Sequence, residues 1–180
     1  MTWGVSPDQG FSIEGKVPDP MEQTDENERL SIQEAIDNAY PGDTVLVHPG
    51  HYYENIVINK FLILHSFAAA GDLSYIEQTI IDAGGSGKPV AVNGGFDGGE
   101  INGFTIQNGF EPIDSDNWPA NDGGGMVILV SDYRVKNLIV RNNQARWGGG
   151  ISVHSPGSYL ENIIIAVSYT HLRAHETDSY

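Results

Sequence analysis

The stretch that decides the fold is GGGMVI at Gly123–Ile128, because it returns as GGGISV at Gly148–Val153, 25 residues further along the chain. A second pair of motifs, VKNLIV from Val135 and LENIII from Leu160, is separated by the same 25 residues. Two separate motifs that keep one period indicate a repeat protein. An earlier copy, INGFTIQNG from Ile101, lies 34 residues before its partner, and the nine extra residues fall in the insertion FEPIDSDNWPAND.

A 25-residue period fits one coil of three short strands, each stacked about 4.8 Å from the equivalent strand of the next coil. Equivalent residues should then be neighbours on adjacent parallel strands, and the side chains of Asn137 and Asn162 should hydrogen-bond to each other along the stack. Three such pairs are predicted: Met126 with Ile151, Leu138 with Ile163, and Asn137 with Asn162.

A single short helix is predicted before the strands. Ser31 is a candidate N-cap, and Glu34 three residues later completes a capping box. Apolar residues follow at helical spacing from Ile32 to Ala39, and the Pro-Gly-Asp segment from Pro41 ends the pattern. Ten short β runs follow, so we expect the helix to cover the first coil and its open strand edge.

The segment SIQEAIDNAYPGDTVLVHPGHYYENIVINK (31–60) resembles the entry segment of right-handed parallel β-helix proteins of the pectin-lyase-like class. TIIDAGG, INGFTIQNG and the Gly-triplet motifs resemble the repeat region of large secreted or surface proteins of that class. The resemblance implies an all-β, right-handed parallel β-helix solenoid with a short N-terminal capping helix, truncated at its C-terminus. The resemblance covers residues 30–166, the acidic residues of 1–29 indicate an N-terminal arm, and residues 167–180 are predicted to be a non-native tail.

The tail VSYTHLRAHETDSY does not continue the repeat. It resembles the translation of a transposase-type sequencing adapter, so we exclude it from fold reasoning and expect it to make no contact that continues the coil. The alternative is a zinc site at His171 and His175, four residues apart, which would need a third ligand.

Charge and composition exclude several classes of function. The chain has 180 residues with 24 Asp+Glu against 9 Lys+Arg, a formal net charge of −15, and no Cys. Such a charge disfavours nucleic acid as a partner, and no apolar run is long enough for membrane insertion. Disulfides and thiolate metal sites are excluded. No signal peptide is visible, but the resemblance implies an extracellular or cell-surface location in a bacterium.

A candidate ligand site lies at the insertion, where a departure from the repeat creates a new surface. The period places the end of this loop beside Arg146 and Trp147, and an exposed Trp beside carboxylates is typical of sugar binding. The predicted site consists of Asp114, Asp116, Trp118, Asp122, Arg146 and Trp147. The alternative is a solvated acidic loop, and calcium binding by the three Asp residues also remains open.

Four histidines are scattered singly along the chain, and each is interpreted as a strand or turn residue rather than a ligand. They are His48, His51, His65 and His154.

The function predicted on this basis is a fragment of a secreted or cell-surface β-helix protein that binds glycans or mediates adhesion. The expected partner is a polysaccharide or cell-surface glycan, with no cofactor and no metal site assigned. The alternative is the N-terminal part of a polysaccharide lyase or glycoside hydrolase. The motifs of pectin methylesterases, polygalacturonases and pectate lyases are not recognisable in the chain, so catalysis is left open.

Overall fold

The computed structural model describes residues 2–6, 10–13, 31–96, 98–112, 122–129, 131–166 and 168–170, with the backbone alone at 2–13 and 169–170. Its helices are α1 (Ile32–Asn38), α2 (Tyr75–Gln78) and a 3₁₀ helix (Phe67–Ala70). Its strands are β1 (Thr2–Ser6), β2 (Gly10–Ile13), β3 (Thr44–Val47), β4 (Gly50–Tyr53), β5 (Ile56–Ile58), β6 (Ile63–Ser66), β7 (Thr79–Asp82), β8 (Val90–Asn93), β9 (Gly99–Asn102), β10 (Thr105–Gln107), β11 (Met126–Leu129), β12 (Tyr133–Arg141), β13 (Gln144–Ala145), β14 (Ile151–Val153), β15 (Tyr159–Ala166) and β16 (Tyr169–Thr170).

Within the described residues the strands form two main sheets. The larger has ten strands in the order β2-β1-β3-β6-β9-β12-β10-β7-β4, with β15 also paired to β12. The smaller has four strands in the order β14-β11-β8-β5, and β13 pairs with β16 separately. The pairings are parallel except between β1 and β2, which are antiparallel.

The register predicted from the 25-residue period is confirmed. Met126 pairs with Ile151 on parallel strands, and Leu138 pairs with Ile163. The Asn ladder is also present, because Asn162 Nδ2 donates to Asn137 Oδ1 at 2.7 Å. Equivalent positions of the repeat are therefore direct neighbours.

The predicted fold class is corrected. The strands assemble into a layered pair of mainly parallel sheets with few helices, and the described residues do not show a closed right-handed solenoid. One reason is that β12 continues through an expected corner, pairing with β9 along Tyr133–Lys136 and with β10 along Ile139–Arg141. Asn137 lies between the two halves with a φ of 52°, which Asn tolerates better than most residues, so the strand bends there without ending. Strands that were expected to form two separate faces of a solenoid are thereby joined in one sheet.

The predicted helix is confirmed as α1. Ser31 Oγ accepts from the Glu34 N–H at 3.1 Å, and the Glu34 carboxylate accepts from the Ser31 N–H at 2.7 Å, which completes the capping box. The buried side of α1, including Ile32 and Ile36, joins the core between the sheets. The spacing of apolar residues thus fixed both the helix and its buried face.

Two charged side chains fasten α1 to the strands beneath it. Glu54 accepts from the backbone N–H groups of Ile32 at 2.9 Å and Gln33 at 3.0 Å. Lys60 Nζ donates to three carbonyl oxygens at the other end of the helix, a position where a positive charge is favourable. These oxygens belong to Ile36 (3.0 Å), Asp37 (3.1 Å) and Ala39 (3.0 Å).

The Lys60→Met variant is expected to lose about 2 kcal/mol in the free energy of unfolding, because three carbonyls lose charge-assisted bonds. Urea denaturation would measure the loss. Lys136→Met is the matched control, since Lys136 makes a 3.5 Å ion pair with Glu100 that should contribute less than about 1 kcal/mol. Equal losses in the two variants would contradict the role given to Lys60.

The edge of the first repeat strand is covered by another strand. β1 pairs in parallel with β3, with Val5 opposite Val47, and β2 folds back on β1. β1 supplies hydrogen-bonding partners to that edge of β3, so the helix alone does not perform the covering that was expected of it. Part of the predicted acidic arm therefore belongs to the larger sheet.

The expectation that the tail makes no contact continuing the coil is wrong for two of its residues. Tyr169 pairs in parallel with Gln144, and Thr170 with Ala145, again 25 residues apart. The proposed adapter origin of residues 167–180 stays a prediction, and His171 and His175 lie outside the described residues. None of the described helices is long and apolar enough to cross a bilayer.

Candidate functional site

A cleft of about 610 Å³ opens beside the ends of β4, β7 and β10. Its wall carries amides, one carboxylate, an imidazole and two aromatic rings. Its lining includes His51, Tyr53, Asp82, Gln107, Asn108 and Phe110.

The sheet register brings these side chains together. Tyr53 ends β4, Asp82 ends β7 and Gln107 ends β10, and the three residues are paired across the parallel strands. Arg141, at the end of β12, is the next member of this row. Neighbouring strands are about 4.8 Å apart, so polar side chains at equivalent positions lie within hydrogen-bonding reach.

Asp82 is the most densely bonded side chain of the cleft. Its Oδ2 accepts from Gln107 Nε2 at 2.7 Å, from Asn108 Nδ2 at 2.8 Å and from His51 Nε2 at 2.8 Å. Its Oδ1 accepts from the backbone N–H of Gly84 at 2.8 Å. The carboxylate is buried, with only 3% of its side chain exposed, so these four donors replace the water it has lost.

The pKa of Asp82 is lowered from its ordinary value of 3.8. Burial alone would raise this pKa, but the hydrogen bonds from Gln107, Gly84, His51 and Asn108 together outweigh burial. Asp82 is therefore ionised at neutral pH.

Acid should destabilise the fold partly through Asp82. Because the folded-state pKa is below the unfolded value, the stabilisation is complete above pH 3.8 and is lost as pH falls through the folded pKa. Urea denaturation of Asp82→Asn across that range should therefore show a shallower loss of stability with acidification than the parent protein shows. Parallel curves would contradict the assignment.

The ionised carboxylate determines the tautomer of His51. A carboxylate can only accept, so neutral His51 must carry its proton on Nε2 and keep a lone pair on Nδ1. No residue that the structure describes hydrogen-bonds to Nδ1. The imidazole side chain is 38% exposed and stacks on Tyr53, with ring centroids 4.3 Å apart. This arrangement places a proton acceptor on the wall of the cleft, with a buried carboxylate behind it.

The site predicted from the sequence is only partly described. The parallel bridge between Asp122 and Trp147 has the expected 25-residue separation. Trp147 is 48% exposed, whereas Asp122 is 3% exposed and pairs with His154 at 3.2 Å. Arg146 is partly exposed. Asp114, Asp116 and Trp118 lie outside the described residues, so the ligand site at this insertion stays a prediction.

Sequence reasoning missed the cleft because it took the histidines one at a time. Three of the four face carboxylates: His51 faces Asp82, His65 faces Glu100 at 2.9 Å, and His154 faces Asp122. A usable signal was present, since Gln107 follows Asp82 by one 25-residue period. Extending the period upstream of the Gly triplets would have placed these two residues side by side.

Metal ligands do not cluster in the described part of the chain. No three His, Asp or Glu side chains there come together in a way that could hold an ion, and cysteine is absent from the sequence. Calcium binding at the insertion remains a prediction, because two of its three carboxylates are outside the description.

Comparison with known proteins gives short matches only. No family model matches the chain, and no solved structure matches it. The chain is 47% identical over 36 residues to the 3-isopropylmalate dehydratase large subunit of Opitutus terrae, which is 20% of this chain and 8% of that protein. It is 43% identical over 47 residues to the corresponding subunit of Akkermansia muciniphila, or 26% of this chain and 10% of that protein. The matched segments thus span about a tenth of these relatives or less.

These findings correct the family resemblance and the function derived from it. The two relatives named above are dehydratase subunits rather than pectin-lyase-like proteins. The interpretation as a β-helix surface protein that binds glycans or mediates adhesion is therefore withdrawn, together with its lyase or hydrolase alternative. Gly-triplet repeats report strand stacking, and stacking alone does not identify a family.

Proposed function

We propose that the cleft is a general acid–base site in which His51 is the proton acceptor and Asp82 is the orienting carboxylate. The observation that carries this proposal is the 2.8 Å contact between His51 Nε2 and an Asp82 carboxylate held by three further donors. A base oriented by a buried carboxylate is a recurring arrangement in enzymes that transfer protons.

The chemistry follows from the tautomer. His51 Nδ1 takes a proton from water or from a substrate hydroxyl, and the imidazolium that forms is stabilised by Asp82. The same proton is returned to the leaving group, so the histidine is regenerated. The amides of the cleft supply donors and acceptors for a small polar substrate, and Tyr53 and Phe110 supply exposed rings against its apolar side.

Hydrolysis of 4-nitrophenyl acetate tests the base directly. His51→Gln is expected to reduce the rate about tenfold or more, since positioned general bases contribute at least that much. The matched control is His65→Gln, which removes an imidazole paired with Glu100 at 2.9 Å but placed on β6 rather than among the residues that line the cleft. The control should retain the parent rate.

Equal rates for the parent and His51→Gln would refute the assignment of His51 as base. Equal losses in both histidine variants would mean that the ester reacts with any imidazole, which also contradicts a special role for the cleft. Circular dichroism of each variant verifies that the fold is kept.

Elimination of water from a hydroxy acid is a second candidate, favoured by the two short dehydratase matches. A base that removes one proton and returns it to a leaving hydroxyl suits this reaction. The formal charge of −15 opposes an anionic substrate, and for this reason we rank it second. Incubation with 3-isopropylmalate, followed by ultraviolet absorbance of the conjugated product, is the test. If the product is absent while ester hydrolysis depends on His51, the dehydration candidate is rejected and the general acid–base proposal remains.

A further inference from the structure

A chain of hydrogen bonds extends from the cleft to the end of β12. Arg141 Nε donates to Gln107 Oε1 at 2.9 Å, and Gln107 Nε2 donates to Asp82 Oδ2 at 2.7 Å. His51 completes the chain through the same carboxylate oxygen. The four residues come from four strands that are neighbours in the larger sheet.

Two groups together fix the direction of these hydrogen bonds, because Arg141 can only donate and the ionised carboxylate of Asp82 can only accept. A guanidinium is always protonated and has no acceptor, so it can face only the oxygen of the Gln107 amide. The amide must then present its NH₂ group to Asp82. With the guanidinium removed, Asp82 still favours the NH₂ group, but the Gln107 oxygen loses its charged partner and the amide is held less firmly.

Burial makes this orientation consequential. Gln107 and Asp82 are both buried, whereas Arg141 is only partly exposed at the end of its strand. A buried amide with the wrong end towards a carboxylate costs more than one in water, because water is absent to separate the two oxygens. Arg141, at the partly exposed end of this row of hydrogen bonds, therefore helps to hold the buried Gln107–Asp82 contact in place.

We infer that Arg141 is a positioning residue for the His51–Asp82 pair, acting through the amide of Gln107. Arg141 holds Gln107 as a donor, Gln107 holds Asp82 in place, and Asp82 keeps the proton of neutral His51 on Nε2. The catalytic meaning of this inference rests on the proposed function, but the tautomer of His51 can be measured without any substrate.

Nitrogen-15 NMR of the histidine rings in the full chain, at a pH where His51 is neutral, reads the tautomer. The parent should hold His51 predominantly with its proton on Nε2. Arg141→Met should raise the ratio of the minor Nδ1–H form about fivefold, the effect of weakening one hydrogen bond. Arg141→Lys keeps a donor and should restore most of the parent ratio. Arg134→Met, an exposed arginine of the same strand, should change nothing.

An unchanged tautomer ratio in Arg141→Met would overturn the inference, whatever the enzyme assays show. A changed ratio without rescue by Arg141→Lys would also overturn it, because the effect would then come from packing. If Arg141→Met does not fold, Gln107→Met removes the amide itself and should give the same change in ratio, and its failure to do so counts against the inference. Loss of the His51 effect on ester hydrolysis, with the tautomer still dependent on Arg141, would contradict only the proposed function.

Discussion

Replacing Gly109 with Ala is expected to destabilise the fold by about 3 kcal/mol or more. The added Cβ would overlap the carbonyl oxygen of Gly124, a backbone atom of a neighbouring segment, and would lie 2.6 Å from Pro89 Cδ. Neither neighbour is the end of a flexible side chain, so the packed backbone segments must separate locally, and overpacking of this kind is at the upper end of the usual cost. Urea denaturation would measure the change.

Gly84→Ala is the control for Gly109→Ala. Gly84 has a φ of 62°, but an added Cβ would meet nothing within 4 Å, so the expected cost is only the backbone conformation, about 1 kcal/mol. A loss at Gly109 no larger than the loss at Gly84 would show that the backbone segments around Gly109 can move apart easily, contrary to their close approach in the structure.

Truncation of Leu138 to Ala should cost about 2–5 kcal/mol, the range for a fully buried leucine. Leu138 is 1% exposed and belongs to the core between the sheets. Leu160 is the matched control, a leucine on the neighbouring strand β15 that is 38% exposed, and its truncation should cost clearly less. Both losses can be read from urea denaturation, and equal losses would mean that the apolar core does not end where the structure places it.

The local rules of the chain could be predicted from sequence, whereas its assembly could not. The spacing of Ile32 to Ala39 and the Ser31–Glu34 capping box determined α1, because helix ends depend on a few neighbouring residues. The 25-residue period determined which strands are neighbours. It did not determine how the strands are grouped into sheets, since that depends on whether a residue such as Asn137 ends a strand or bends it.

The candidate site was harder to predict for a related reason. His51, Asp82 and Gln107 carry no motif of their own, and they meet only because three strands end at the same edge. The insertion at Asp114 to Asp122 attracted attention because it departs from the repeat, whereas the cleft lies within the repeat itself. Sequence periodicity reveals such a site only when polar residues at equivalent positions of successive repeats are compared with one another.

The strands at the edges of the larger sheet are held by fewer backbone hydrogen bonds than the inner strands, which affects where local unfolding begins. β3 lies between β1 and β6 and beneath α1, whereas β15 pairs with β12 alone among the described strands and exposes more than half of Ile164 and Ile165. Releasing β15 breaks one set of backbone bonds, but releasing β9 requires breaking two sets. Amide hydrogens should therefore exchange with solvent fastest at edge strands such as β15 and β4, and slowest towards the middle of the larger sheet. Asp82 lies on β7, which has paired strands on both sides, whereas His51 lies on β4, which pairs with β7 alone among the described strands. The imidazole should therefore separate from the carboxylate when β4 frays, before the middle of the sheet opens.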